Sequence, residues 1–193
     1  MGSRRPAAAL AGRRKPSHLA GSVDLGGSVG RMERWLKIIL SAGLAILCGL
    51  ITFGNIHDPD ANLRYVEHVL SMDTIEPGSK LSERAIPIPF IWQFAFWSIV
   101  AAEGATAALF TGGTVELWRA RMAPARDFHR AKRFVFAGAA AGYLIWFVGF
   151  SAVGGEWFAM WKSQTWNGQQ AAFRICMFIL LCTLIVGQKE GEL

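Results

Sequence analysis

Apolar residues in this chain run in four long blocks, with the charges gathered between them. The blocks extend from about Trp35 to Phe53, Phe90 to Phe110, Phe134 to Val153 and Ala171 to Gly187. Each holds 17 to 21 residues. At about 1.5 Å of rise per residue, such a helix spans a hydrocarbon core of roughly 30 Å once its ends snorkel. The pattern predicts an all-α membrane protein with four transmembrane helices. Between the first two blocks, "DPDANLRYVEHVLSM" switches to a one-sided pattern. Leu63, Val66, Val69 and Leu70 share a helix face, Asp58 is placed to cap the N-terminus, and Pro59 suits the first helical position. This short amphipathic helix is expected to lie on the bilayer surface or to cap the bundle. The "IEPGSKLSERAIPIP" that follows predicts irregular chain leading back into the membrane. Residues 1–31 are rich in Gly, Arg, Ala and Ser and show no apolar period. They are expected to form a disordered basic extension ahead of a transmembrane domain over 32–193.

Composition agrees with the pattern. The 193 residues are 52% hydrophobic and only 18% charged, below the level of about a quarter usual in soluble domains. The net charge of +6 suggests a nucleic-acid partner until the basic residues are located. Residues 1–34 carry seven Lys or Arg and the second loop six, whereas the first loop carries three and the third only Lys162. Those are topology signals beside membrane spans, so no nucleic-acid partner is expected. By the positive-inside rule both termini and the second loop are cytoplasmic (N-in, C-in), and loops one and three lie outside. Cys48, Cys176 and Cys182 all fall inside apolar blocks and are read as small apolar fillers, not a disulfide framework. "MGSRRP" has Pro6 where a myristoylation signal needs Ser or Thr. "SRRPAAAL" only faintly echoes a twin-arginine signal and no small-x-small cleavage site follows, so the first span is expected to stay uncleaved. Met32 offers an alternative start.

Candidate chemistry is sparse. Glu103 is the one acid near the middle of a span, where a charged, lipid-facing carboxylate costs several kcal/mol. It is expected to turn inward, be protonated, or find a partner. It sits in "AAEGATAA", a run of small residues that permits close helix approach, and "GAAAG" at 138–142 offers a matching face. Spans two and three are therefore expected to pack through these runs. Glu103 reads either as a proton or cation relay or ligand contact, or as a neutral acid hydrogen-bonded across helices. Arg174, about a turn inside span four, is expected to snorkel and to pair with Glu156. In "GGEWFAMWKSQTWNGQ", Trp157 and Trp161 are four apart and are expected to share a helix face, while "WNG" reads as a turn into span four. With Trp92 and Trp97 they suit an aromatic belt at headgroup depth. Yet Glu156, Lys162, Gln164, Asn167 and Gln169 crowd beside the rings, and Trp166 and Asn167 join Trp157 and Trp161 as candidates for a ligand or partner site. His57, Asp58, Asp60, His68 and Asp73 share the first loop, but no spacing among them matches a metal site, and a solvated polar loop is the plainer reading. The four histidines, His18, His57, His68 and His129, all lie outside the apolar blocks, which argues against haem between spans. No cofactor or metal is expected.

At "HVLSMDT" (68–74) and "GGEWFAMWKSQTWNGQ" the chain resembles a bacterial family of unknown function described only as predicted small integral membrane proteins. The likeness covers about Trp35 to Gly187 and extends to the acid of span two. It implies four helices in a bacterial inner membrane and no established activity. Family members begin close to the first span, so residues 1–31 depart from the pattern and favour the start at Met32. The leading functional expectation is a non-catalytic accessory or assembly subunit, with the bilayer and other membrane proteins, or copies of itself, as partners. The alternatives are an oligomeric transporter or proton-coupled permease using Glu103, and a quinone- or lipid-binding protein using Glu156, Arg174 and the tryptophans. His68 and Asp73 complete the candidate residues. No nucleophile–base arrangement, phosphate cradle or carboxylate pair is present.

Overall fold

The computed structural model describes residues 25–190, and all regular structure among them is helical. Helix α1 (Leu25–His57), α2 (Pro59–Ser71), α3 (Pro89–Arg119), α4 (Ala125–Ala131), α5 (Arg133–Tyr143) and α6 (Gln169–Gly187) follow in order. Short 3₁₀ turns form at Lys80–Arg84 and Met160–Lys162. Beyond Tyr143 the chain does not stop but widens into a π-helix, Leu144–Trp157. Its bonds reach five residues back: Phe158 N–H donates to the Val153 carbonyl (3.0 Å), and the Ser151 hydroxyl to that of Trp146 (3.1 Å). Four helical stretches are long and apolar enough to cross a membrane: 27–57, 89–119, 125–157 and 169–187. The four spans are therefore where the apolar blocks placed them, and three of them run well past the expected limits. Helix α1 starts at Leu25, so residues 25–31 are helical and not irregular; the rest of the expected extension lies outside the described residues.

The bundle has an apolar interior that includes Ile38, Leu44, Phe110 and Ile179, but it also turns large apolar side chains outward and several polar ones inward. On α1, Ile39, Ile46, Leu50 and Phe53 are exposed, whereas Arg34, Lys37, Ser41 and Cys48 are buried. Lipid is as apolar as these outward side chains, so helices associate through packing and polar contacts and not by hiding apolar surface. Between α1 and α3 the Thr114 hydroxyl donates to Ser41 Oγ (2.9 Å). At the end where α1 begins, called here the basic end, Glu190 Oε1 meets Lys37 Nζ at 2.6 Å and Lys132 Nζ at 2.5 Å, with all three side chains buried. Arg34 Nη1 donates to the carbonyls of Arg121 (3.1 Å) and Ala123 (2.5 Å), and its guanidinium lies over the Phe128 ring. This polar clamp ties α1, the α3–α4 turn, α5 and the chain after α6 together.

The opposite end carries a cap. Pro59 and Pro89 open α2 and α3 at a position whose N–H needs no helical partner. Asp58 stands at the N-cap of α2 but makes no side-chain capping bond, contrary to its expected role. Helix α2 lays Val66 against Phe96 and Val100 of α3, and Val69 against Met72, Ile75, Phe158 and Met160. It therefore caps the bundle, the second of the two arrangements its amphipathic pattern allowed.

The expected packing of spans two and three through small residues holds only in part. Gly138 receives the Phe110 ring and Gly113 receives Val135. Glu103 and Gly104, however, face α1, where Gly104 stands against Thr52. Ala102, Ala105 and Ala141 do not close on each other at all; they line a cavity.

Candidate ligand site beneath the cap

The two motifs that carry the family resemblance come together in the cap. His68 Nδ1 lies 2.8 Å from Asp73 Oδ2, and its ring stacks on Trp166 with centroids 4.5 Å apart. The Thr74 hydroxyl donates to the buried Ser163 Oγ (2.9 Å), which in turn accepts from Trp166 N–H (3.0 Å). Asn167 Oδ1 accepts from Gln169 N–H (3.1 Å) and so turns the chain into α6, as "WNG" predicts. His68, with Asp73 beside it and Trp166 stacked on it, and the Thr74–Ser163 bond thus clasp the end of α2 to the segment before α6, whereas Asn167 acts only locally. Among the described residues no set of His, Cys, Asp and Glu gathers in a way that could hold a metal ion.

Trp157 and Trp161 do not share a helix face. The π-helix ends at Trp157 and Ala159 turns left-handed (φ 51°), which separates the two indoles. Both stay half exposed on the rim, with the Arg84 guanidinium 4.7 Å over Trp157 and Lys162 Nζ 5.5 Å from the Trp161 ring. The Arg174–Glu156 pair does not form either. Both side chains are exposed and neither enters an ion pair among the described residues. Helix α3 runs on to a 31-residue length, and Glu103 meets Asn55, which stands two residues from the end of α1 at His57. The carboxylate thus stands at the middle of α3, as the sequence places it, and at the same time beneath the cap helix, because α1 ends well short of the start of α3.

Two cavities flank this point. The larger, of about 530 Å³, lies between α3 and the π-helix under α2. Its walls are almost wholly apolar, and small residues make the space: Ala102, Ala105, Ala141, Gly149 and Gly154. Leu144 and Val153, on its flank, are 61% and 44% exposed, so it opens sideways. The smaller, of about 230 Å³, has a polar floor of Glu103 and Asn55, aromatic walls of Tyr65, Phe96, Trp146 and Phe150, and Asn62 and Gly168 toward the cap. Tyr65, Val66, Ile99 and Phe150 border both spaces. The Tyr65 hydroxyl donates to Met160 Sδ (2.5 Å), and burial pushes its phenol up to about 12, so this wall stays neutral.

Of the sequence candidates, only Glu103 borders either of these two cavities. The residues that reasoning along the chain missed are Asn55, Asn62, Tyr65, Trp146 and Phe150. One signal existed: Asn55 closes a stripe (Arg34, Lys37, Ser41, Cys48, Thr52, Asn55) spaced at three, four and seven residues, which marks one inward face of α1. The aromatic walls carry no such mark, because aromatic side chains also fill lipid-facing positions.

Residues 33–189 match the model of a family described as predicted small integral membrane protein (DUF2165). Comparison with curated proteins and with solved structures found no match.

Proposed function

The chain belongs to this DUF2165 family of small integral membrane proteins, and from that premise we propose a non-catalytic protein that holds the apolar chain of a bilayer lipid in the cavity between α3 and the π-helix. The cavity carries the reading. At about 530 Å³ it has the size of a small-molecule site, it is lined by side chains that offer a ligand almost nothing polar, and it opens on the flank of helices long enough to span a membrane. An open apolar space of that kind in a bilayer is filled from the bilayer. Filling it from within tests the reading. Ala102→Phe is expected to abolish the lipid that stays bound to detergent-purified protein in native mass spectrometry, while the protein remains folded. Undiminished lipid on the variant would refute a ligand at this position.

The distribution of basic residues supports placing the basic end in the cytoplasm of a bacterial cell, with the cap outside the inner membrane. In a cysteine-free background, cysteines at Lys80 and Lys162 are expected to react with a membrane-impermeant maleimide added to intact spheroplasts. Labelling only after the membrane is opened would reverse the orientation. A second reading, an accessory subunit that meets its partner through the cap, is favoured by the half-exposed Trp157 and Trp161 and the cations over them. Gentle extraction that yields only the single small species would count against it.

A further inference from the structure

The two ends of the bundle treat a buried carboxylate in opposite ways. At the basic end Glu190, 1% exposed, is matched by two lysine ammonium groups. Beneath the cap Glu103, 2% exposed, has one amide donor, Asn55 Nδ2 at 2.6 Å, and no ion pair among the described residues. That bond is accepted by Oε2. Buried carboxylates are ordinarily paired or protonated, because an uncompensated charge out of water is costly, and a cation bound beside Glu103 would favour its ionised form. The space beside Glu103 is suited to supplying the missing charge. It is small, about 230 Å³, and it is lined by the acid Glu103 and the amide side chains Asn55 and Asn62 together with Tyr65, Phe96, Trp146 and Phe150. Aromatic faces attract a desolvated cation through the ring quadrupole, and they do so best for alkylated ammonium groups, which shed water readily. A hydrated metal ion would find too few oxygen ligands here.

We infer that the compartment formed by Glu103, Asn55 and Asn62 and walled by Tyr65, Trp146 and Phe150 binds an alkylammonium group. That group belongs either to a small free amine or to the headgroup of a zwitterionic lipid. The site shares Tyr65, Val66, Ile99 and Phe150 with the apolar cavity but has a carboxylate that the cavity lacks, and Ala102, which borders only the cavity, lets the two readings fail separately.

Choline, titrated into delipidated full-length protein in a neutral detergent and followed by calorimetry, is expected to bind saturably. Its uncharged carbon isostere, 3,3-dimethylbutan-1-ol, is expected not to bind. Equal binding of the two, or binding of neither, would overturn the inference, and this comparison requires only the unaltered protein. Glu103→Gln keeps an oxygen for Asn55 and removes the charge, and it is expected to weaken choline by about tenfold or more. Asn62→Lys places a cation at the exposed mouth, where folding is not at risk, and is expected to abolish binding. A folded Asn62→Lys protein that binds choline as tightly as the unaltered one would place the ion elsewhere and refute the site. Competition separates the two sources. Displacement of choline by phosphatidylcholine, and not by phosphatidylglycerol of the same chains, assigns the site to a headgroup. Indifference to both lipids assigns it to a free amine.

Discussion

Glu190→Ala lowers the stability of the folded bundle by about 3–5 kcal/mol, the cost of leaving a buried charge without its partner. Lys37 and Lys132 are 3% and 0% exposed; without Glu190 both keep the Gln188 carbonyl, at 2.8 and 2.7 Å, and Lys132 also keeps His129 Nδ1 at 3.5 Å, but neither keeps an anion. Unfolding in mixed detergent micelles, monitored by circular dichroism against SDS fraction, reads the loss. Replacing the whole cluster (Lys37→Met, Lys132→Met, Glu190→Leu) is expected to recover most of it, since no charge is then stranded. If the single variant unfolded at the same SDS fraction as the unaltered protein, the clamp would be an ornament of the fold. The cluster also sets a response to acid. Burial alone would raise the Glu190 carboxyl, but hydrogen bonds and charge from Lys132 and Lys37 hold it below the usual carboxylate range. A group depressed in this way stabilises the folded state fully above the unfolded carboxylate value of about 4.3, and that support fades as pH falls through the lower folded value. Stability should therefore fall off below about pH 4 in the unaltered protein and lack that component in Glu190→Ala.

Gly113→Ala is expected to cost about 1–3 kcal/mol by forcing α3 away from α5. A β-carbon there would stand 2.6 Å from Val135 Cγ2 and 2.9 Å from the Val135 backbone nitrogen. The side chain can rotate away, but the backbone cannot, so the helices must separate. Gly43 supplies the control: a β-carbon at that position meets nothing within 4 Å, and Gly43→Ala should leave stability unchanged or slightly improved. The same detergent titration distinguishes the two. Equal behaviour would mean that the α3–α5 seam yields more readily than its geometry implies.

Both effects lie on features that differ in how plainly the chain announces them. The spans were legible because length and unbroken apolarity are the physical requirements for crossing a bilayer, and block ends at Trp35 and Gly187 lie close to where charge and helix meet. The cap helix was legible for the same kind of reason: Pro59 and the Leu63–Val66–Leu70 face are local facts. Helix limits were less so. Tyr143 gives no warning that the chain beyond it widens to a π-helix, and Ala159 is not a residue that advertises a left-handed turn, so the spacing of Trp157 and Trp161 misled. Glu103 was recognisable as a mid-span anomaly, but its partner Asn55 was not, because that depends on the register of α3 against α1. Arg174 and Glu156 matched in height on paper and failed to meet, since sequence gives height along a helix and not the azimuth around it. The cavities were beyond reach altogether. Small residues at 102, 105 and 141 look alike whether helices close over them or stand apart.

The order in which the clamp is assembled has a consequence for biosynthesis. Lys37 enters the membrane boundary with the first helix and Lys132 with the third, but their shared counter-ion follows the fourth. Chains are made from the N-terminus at about 5–20 residues per second. Through most of translation, then, two ammonium groups wait at the lipid edge, where water and anionic headgroups must hold them. Glu190 is the last of the three to be made, so the ion pairs with Lys37 and Lys132 can close only after the fourth span is complete.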